Sequence, residues 1–165
     1  MTTLAPLLQA APAVQFHAAA AMMSLALGPF ALYRRRRDRV HKIVGYAWVG
    51  SMAMTAVSSF WLHTMPMIGP FGPIHALSAM TLVSLTLAIR AAICGNIRAH
   101  RGIMQSLWYF GLLLAAVFTL LPGRVMNRVL FGQDDPAGLA VVAGLLSAGA
   151  VAWLLTRRPG WRRNA

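Results

Sequence analysis

The chain has 165 residues, of which 58% are hydrophobic and only 11% are charged. Soluble domains carry about 25% charged residues, so this composition excludes an ordinary soluble domain and predicts an integral membrane protein. The net charge of +12 does not indicate nucleic-acid binding, because arginines beside apolar segments act as topology signals and contacts for anionic lipid. The single cysteine, Cys94, excludes an intrachain disulfide.

Five apolar segments follow one another, and a membrane-spanning helix needs about 20 such residues. They predict an all-α membrane bundle with a four-helix core and a fifth transmembrane helix. The predicted domain covers 14–156, between a short N-terminal segment (1–13) and a basic tail (157–165). Its helices are expected at about 14–33, 42–62, 73–92, 103–121 and 137–156. Gly28-Pro29 is expected to kink the first of them.

Basic residues are concentrated in the loops of one side. Loop 34–42 carries six, loop 90–101 three and the tail 157–165 four, whereas the other side has only Arg124 and Arg128. Short loops rich in lysine and arginine stay in the cytoplasm. The distribution therefore predicts that the N-terminus lies outside and that the C-terminus is cytoplasmic.

The five histidines fall at two depths in this topology. His17, His63 and His75 lie toward the outer side, and His41 and His100 lie toward the inner side. Alternate helices of an up-and-down bundle are diagonal to each other, roughly 11–14 Å apart. A bis-histidine haem bridges about that distance, whereas a bare metal ion needs ligands at about 2 Å. The layout favours one or two b-type haems, on His17 with His75 and on His41 with His100, and His63 could replace an outer ligand.

Five arginines are predicted to assist such a cofactor. Arg34, Arg37 and Arg101 would neutralise haem propionates or attract an anionic reductant at the inner face. Retention of positive charge in the cytoplasm explains most inner arginines without a cofactor. Arg124 and Arg128 run against the charge bias, so they are interpreted as partners for Asp134 and Asp135, for phospholipid or for a cofactor carboxylate.

The leading hypothesis is electron transfer, with the lipid bilayer as environment and a quinone or another electron carrier as partner. One alternative is a membrane subunit or assembly factor without a cofactor. Another is a metal-handling protein that uses the outer histidines and the M-x-M pairs at 52/54 and 65/67. Hydrolysis and carboxylate-based proton pumping are poorly supported, because acidic residues are nearly absent. Whether the protein is an enzyme stays open.

Four blocks of the sequence resemble a family of uncharacterised bacterial membrane proteins, the domain of unknown function 2306. They are R-R-R-D-R-V-H-K-I-V-G-Y-A-W (35–48), G-P-I-H-A-L-S-A-M-T-L-V-S-L (72–85), N-I-R-A-H-R-G-I-M (96–104) and F-T-L-L-P-G-R-V-M-N-R-V-L-F-G (118–132). The resemblance covers about 17–132. It implies a multi-pass protein of the bacterial cytoplasmic membrane, and it places His41, His75, His100 and Arg124 in the family pattern. The histidine layout is also similar in architecture to di-haem b-type transmembrane cytochromes.

Overall fold

Helices are the regular elements of the chain in the computed structural model, which describes residues 3–34, 36–62, 72–132 and 136–156. In chain order they are α1 (Ala5–Leu8), α2 (Pro12–Tyr33), α3 (Arg39–Ser58), α4 (Pro73–Ile93), α5 (Ile97–Phe118), α6 (Val125–Phe131) and α7 (Ala137–Thr156). A 3-10 turn, Ser59–Trp61, extends α3. The prediction of an all-helical protein is confirmed for these residues.

The chain divides into two units, Gln9–Ala115 and a second unit made of Met1–Leu8 with Ala116–Ala165. In the first unit α2 packs on α3, α3 on α4, α4 on α5, and α5 packs back on α2. This ring places α2 opposite α4 and α3 opposite α5, which is the arrangement of an up-and-down four-helix bundle.

Four helices of the described residues are long and apolar enough to cross a membrane, namely α2, α3 with its 3-10 turn, α4 and α5. They have 21 to 23 residues, so they are about 32–35 Å long, close to the roughly 30 Å of bilayer hydrocarbon. Their outer surface exposes large apolar side chains such as Phe30 (71%) and Tyr46 (77%). The multi-pass membrane protein is thus confirmed, while a fifth span at α7 and the orientation of the termini stay predictions.

The fourth predicted helix began too late in the sequence. The predicted start at about 103 leaves Arg98 and Arg101 in a loop, whereas both lie in the first turns of α5. Asn96 caps this helix by accepting the Ala99 backbone N–H at 3.1 Å. The turn between α4 and α5 is therefore short, and Gly95 makes it with a φ of +75°.

Two tryptophans fill the interior face of α2. The indole Nε1 of Trp48 donates to the backbone carbonyl of Ser24 at 3.0 Å, and the indole of Trp108 lies against Gly28 so closely that a Cβ there would collide with it. The small residues on this face therefore accommodate the protein's own side chains at these two positions. Trp108 belongs to a π-helical segment of α5, Leu107–Leu113, and Pro29 lies inside α2.

In the second unit α1 and α7 both pack on α6, a short helix that the hydropathy pattern did not predict. Asn127 of α6 is fully buried and donates through Nδ2 to the Leu120 carbonyl at 2.6 Å. Gly138 at the start of α7 packs against both groups. A side chain at Gly138 would therefore separate α7 from the turn that precedes α6.

Candidate functional site

The histidines of the four-helix unit lie at its two ends. At the basic end, where α3 and α5 begin, His41 is the third residue of α3 and His100 the fourth residue of α5. At the opposite end, His75 is the third residue of α4 and His17 the sixth residue of α2. Each pair stands on helices that face each other across the ring. His63 lies outside the described residues.

His100 has the proton arrangement of a metal-bound or haem-bound histidine. Its Nδ1 lies 2.9 Å from the backbone carbonyl oxygen of Ala88 on α4. A carbonyl oxygen can only accept, so Nδ1 carries the proton and donates it. The lone pair of the neutral ring is then on Nε2, and the bond to Ala88 holds the ring in place, as second-shell partners of ligating histidines do.

His41 lies across the bundle from His100, near enough for the charges of the two rings to act on each other, and Arg37 acts on it as well. Its Nδ1 is buried and has no hydrogen-bond partner among the described residues. Leaving a buried polar atom unpaired costs about 1–3 kcal/mol, so such an atom is a candidate contact for a ligand.

Space adjoins His41 on the same face of α3. Gly45 follows it by one helical turn and precedes the buried Trp48 on that face. A Cβ built at Gly45 would meet no atom within 4 Å, although the residue is only half-exposed. The basic end thus combines two opposed histidines with room beside one of them.

His17 at the opposite end is hydrogen-bonded to the end of α3. Its Nδ1 lies 3.0 Å from Oγ of Ser58, and the ring also forms a hydrogen bond with the Thr55 backbone. The Ser58 hydroxyl itself donates to the Thr55 carbonyl at 3.1 Å. These contacts join α2 to α3.

His75 has a different role in the structure. The residue is 5% exposed, and its Nδ1 accepts the backbone N–H of Gly72 at 3.1 Å. This bond closes the first turn of α4 as the third helical residue of a capping box does. The neutral ring then carries its proton on Nε2, which is the wrong tautomer for ligation through that atom. His75 therefore has a capping role in this structure, and ligation of a haem by the outer pair stays a prediction.

Buried hydroxyls join the helices at the middle of the bundle and toward its opposite end, a feature that was not among the sequence predictions. The Ser59 hydroxyl bonds that of Ser78, linking the end of α3 to α4. The Ser24 hydroxyl donates to Ser51 at 2.8 Å, linking α2 to α3. All four serines are at most 5% exposed. Serines within the apolar segments could have predicted these contacts, because serines often form hydrogen bonds between membrane helices.

The structure separates the five arginines that were expected to assist a cofactor. Arg34 forms an ion pair with Asp38, whose carboxylate also accepts the backbone N–H of His41 at 2.9 Å. These two contacts hold the pKa of Asp38 well below its usual range. Arg37 acts on His41, and Arg101 is exposed one residue after His100.

Arg124 and Arg128 belong to the second unit, at the N-terminal cap and in the last turn of α6. The Nε of Arg128 is shielded and has no hydrogen-bond partner among the described residues. Asp134 and Asp135, the carboxylates suggested for this pair, lie outside the described residues. No group of three or more histidine, cysteine or acidic side chains in the described part of the chain could hold a metal ion.

Known proteins place the chain in a family. A family model described as a predicted membrane protein, DUF2306, matches residues 14–156. This match extends beyond the stretch 17–132 on which the resemblance rested, through the whole of the fifth apolar segment. No curated protein matches the chain, and no solved structure matches it.

Proposed function

We propose that this chain, which belongs to the DUF2306 family of predicted membrane proteins, binds one b-type haem between His41 and His100 and transfers electrons. The observation that carries the proposal is the bond from His100 Nδ1 to the Ala88 carbonyl, 2.9 Å long. It leaves the Nε2 lone pair of His100 for a ligand. A cytochrome with one haem at the basic end replaces the expectation of two, because His75 is committed to capping α4.

The position of the two helices supports this site. Opposite helix axes in a four-helix bundle are roughly 11–14 Å apart, a span that suits two imidazoles with a porphyrin between them. The buried, unpartnered Nδ1 of His41 and the open space at Gly45 support the same place. A haem would supply the one-electron chemistry, and His41, His100 and the arginines near them would hold it and set its charge environment.

The chain's own residues have separable tasks in this proposal. The Ala88 carbonyl keeps the His100 proton on Nδ1 and fixes the orientation of the ring. Arg37 and Arg101 would balance the charge of the haem propionates. With the N-terminus outside, the site faces the cytoplasm, so the electron donor or acceptor reaches it from that side.

A membrane subunit without a cofactor is the second candidate. It is favoured by the opposite end, where His75 caps its own helix and a serine contact joins α3 to α4, since neither contact requires a ligand. Under this alternative the basic loop serves topology alone. The two candidates differ in one observable, the absorption spectrum.

The test is purification of the chain after expression with ample haem, followed by absorption spectroscopy and haem quantitation. We expect a bis-histidine spectrum with one haem per chain. His41→Ala and His100→Ala should each abolish the spectrum, while His17→Ala and His75→Ala should keep it. Colourless wild-type protein, or loss of haem in the outer variants with retention in the inner ones, overturns the proposal.

A further inference from the structure

The outer surface of the four-helix unit carries an apolar groove at the basic end, between α2 and α3. Its volume is about 340 Å³, and Leu27, Pro29, Phe30, Val40 and Val44 form its apolar walls. Phe30 is 71% exposed and Val40 is 49% exposed, so the groove opens on the face that the helices turn to lipid. In a membrane, the acyl chains of lipids are therefore in position to fill this groove.

Charged and polar groups lie at one end of this groove. Arg34 and Tyr33 complete its lining. Asp38 balances the charge of Arg34 through their ion pair, and because the pKa of Asp38 is held low, the carboxylate stays ionised at neutral pH. The surplus positive charge comes from the arginines that flank Asp38 and are exposed, namely Arg36, Arg37 and Arg39.

We propose that this groove binds one acyl chain of an anionic phospholipid, with the lipid phosphate beside the guanidinium of Arg34. Arginines at a membrane surface favour anionic lipid by about 1 kcal/mol each, which is roughly fivefold in binding. A zwitterionic lipid could fill the apolar groove equally well but gains little from the arginines. The groove therefore selects by headgroup while its walls hold the chain.

A second groove between the same two helices provides the internal control. It lies at the opposite end, has a volume of about 610 Å³, and is lined by residues that include Phe16, Met54, Val57 and Trp61. Its lining contains no charged side chain. It can take a lipid chain, but nothing in its lining distinguishes an anionic headgroup.

The experiment is native mass spectrometry of the protein after equilibration with equal amounts of phosphatidylglycerol and phosphatidylcholine. We expect wild-type protein to retain phosphatidylglycerol at least roughly fivefold more often. Arg34→Gln, which leaves Asp38 unpaired, should lower the preference roughly fivefold, and Asp38→Asn should raise it by a similar factor. Asparagine still caps α3, so a purely structural role of the ion pair would not move the two variants in opposite directions.

A matched pair of valines on α3 tests the groove itself. Val40→Trp fills the groove at the basic end, and Val57→Trp fills the other; the two valines are 49% and 45% exposed. Val40→Trp should abolish retention of the selected lipid, and Val57→Trp should leave the preference unchanged. Equal retention of both lipids by the wild type, or an unchanged preference in Val40→Trp, overturns the proposal. The haem spectrum of Val40→Trp should be unaffected, so failure here and failure of the haem proposal are distinguishable.

Discussion

The two ends of the four-helix unit each carry a pair of histidines, but the hydrogen bonds of these histidines differ. Each end has two histidines on opposed helices, near the helix termini. At the basic end, His100 donates to a backbone carbonyl and His41 keeps a buried nitrogen unpartnered among the described residues. At the opposite end, His75 accepts a backbone N–H and closes a helical turn. Depth and helix order bring histidines to the same level of the bundle, but the contacts at Nδ1 distinguish His100, which donates, from His75, which accepts.

The largest expected effect tests the space at the basic end. Gly45→Leu should lower the haem-to-protein ratio roughly tenfold or more, since overpacking a site costs about 1–3 kcal/mol. Gly50→Leu is the matched control, because it lies on the same helix, is exposed, and also has no atom within 4 Å of an added Cβ. Full haem content in Gly45→Leu would show that the space beside Gly45 does not receive the haem.

The second prediction concerns the filled interior between the ends. Gly28→Ala places a Cβ against the indole of Trp108 and should lower the free energy of unfolding by about 1–3 kcal/mol. Gly50→Ala, which meets nothing, should be neutral or stabilise the helix by up to about 1 kcal/mol. Thermal unfolding in detergent measures both variants. Equal stability of the two would mean that Trp108 moves aside without loss.

The third prediction separates a capping histidine from a ligand. His75→Ala removes the bond to the Gly72 N–H and should cost about 1 kcal/mol, a fall in Tm of roughly 2–4 °C. His75→Gln should recover most of this loss, because glutamine at the third helical position forms the same bond. A haem ligand would not be rescued by glutamine. Recovery of Tm in His75→Gln would therefore show that His75 acts as a capping residue.

The smallest effect is the acid dependence of the basic loop. The pKa of Asp38 is depressed in the folded protein, so its contribution is present above the ordinary carboxylate value of about 4 and is lost as pH falls below it. Asp38→Asn should flatten the fall in Tm between about pH 4 and pH 2. Added salt should reduce the wild-type effect, because the ion pair is exposed. An identical acid profile in wild type and variant contradicts this assignment.

Hydropathy was sufficient to predict the four spans and their ring order, because lipid demands long apolar helices and short loops force neighbours to be antiparallel. The predicted start of α5 was too late, because Arg98 and Arg101 were expected in a loop. Both can lie in the first helical turns and extend their charged ends toward the membrane surface. The hydropathy pattern does not show that Asn96 caps a helix that also contains Arg98 and Arg101.

The capping role of His75 has a signal in the sequence. In G-P-I-H (72–75) the proline stands at the first helical position and the histidine at the third, where side chains return to the cap. His100 gave no such signal, because its partner is a backbone carbonyl on another helix. Contacts of that kind depend on helix rotation, which a hydropathy pattern leaves undetermined.

The π-helical segment of α5 has a consequence for how the chain tolerates changes in length. Within Leu107–Leu113 the backbone holds one residue more than a regular turn, as the bond from the Leu114 N–H to the Tyr109 carbonyl five residues earlier indicates. Deleting one residue there would restore an ordinary helix and leave the side chains on both flanks facing as before. A deletion elsewhere in α5 would rotate one flank by about 100° against its neighbours. Among homologous chains, single-residue gaps should therefore collect at this segment.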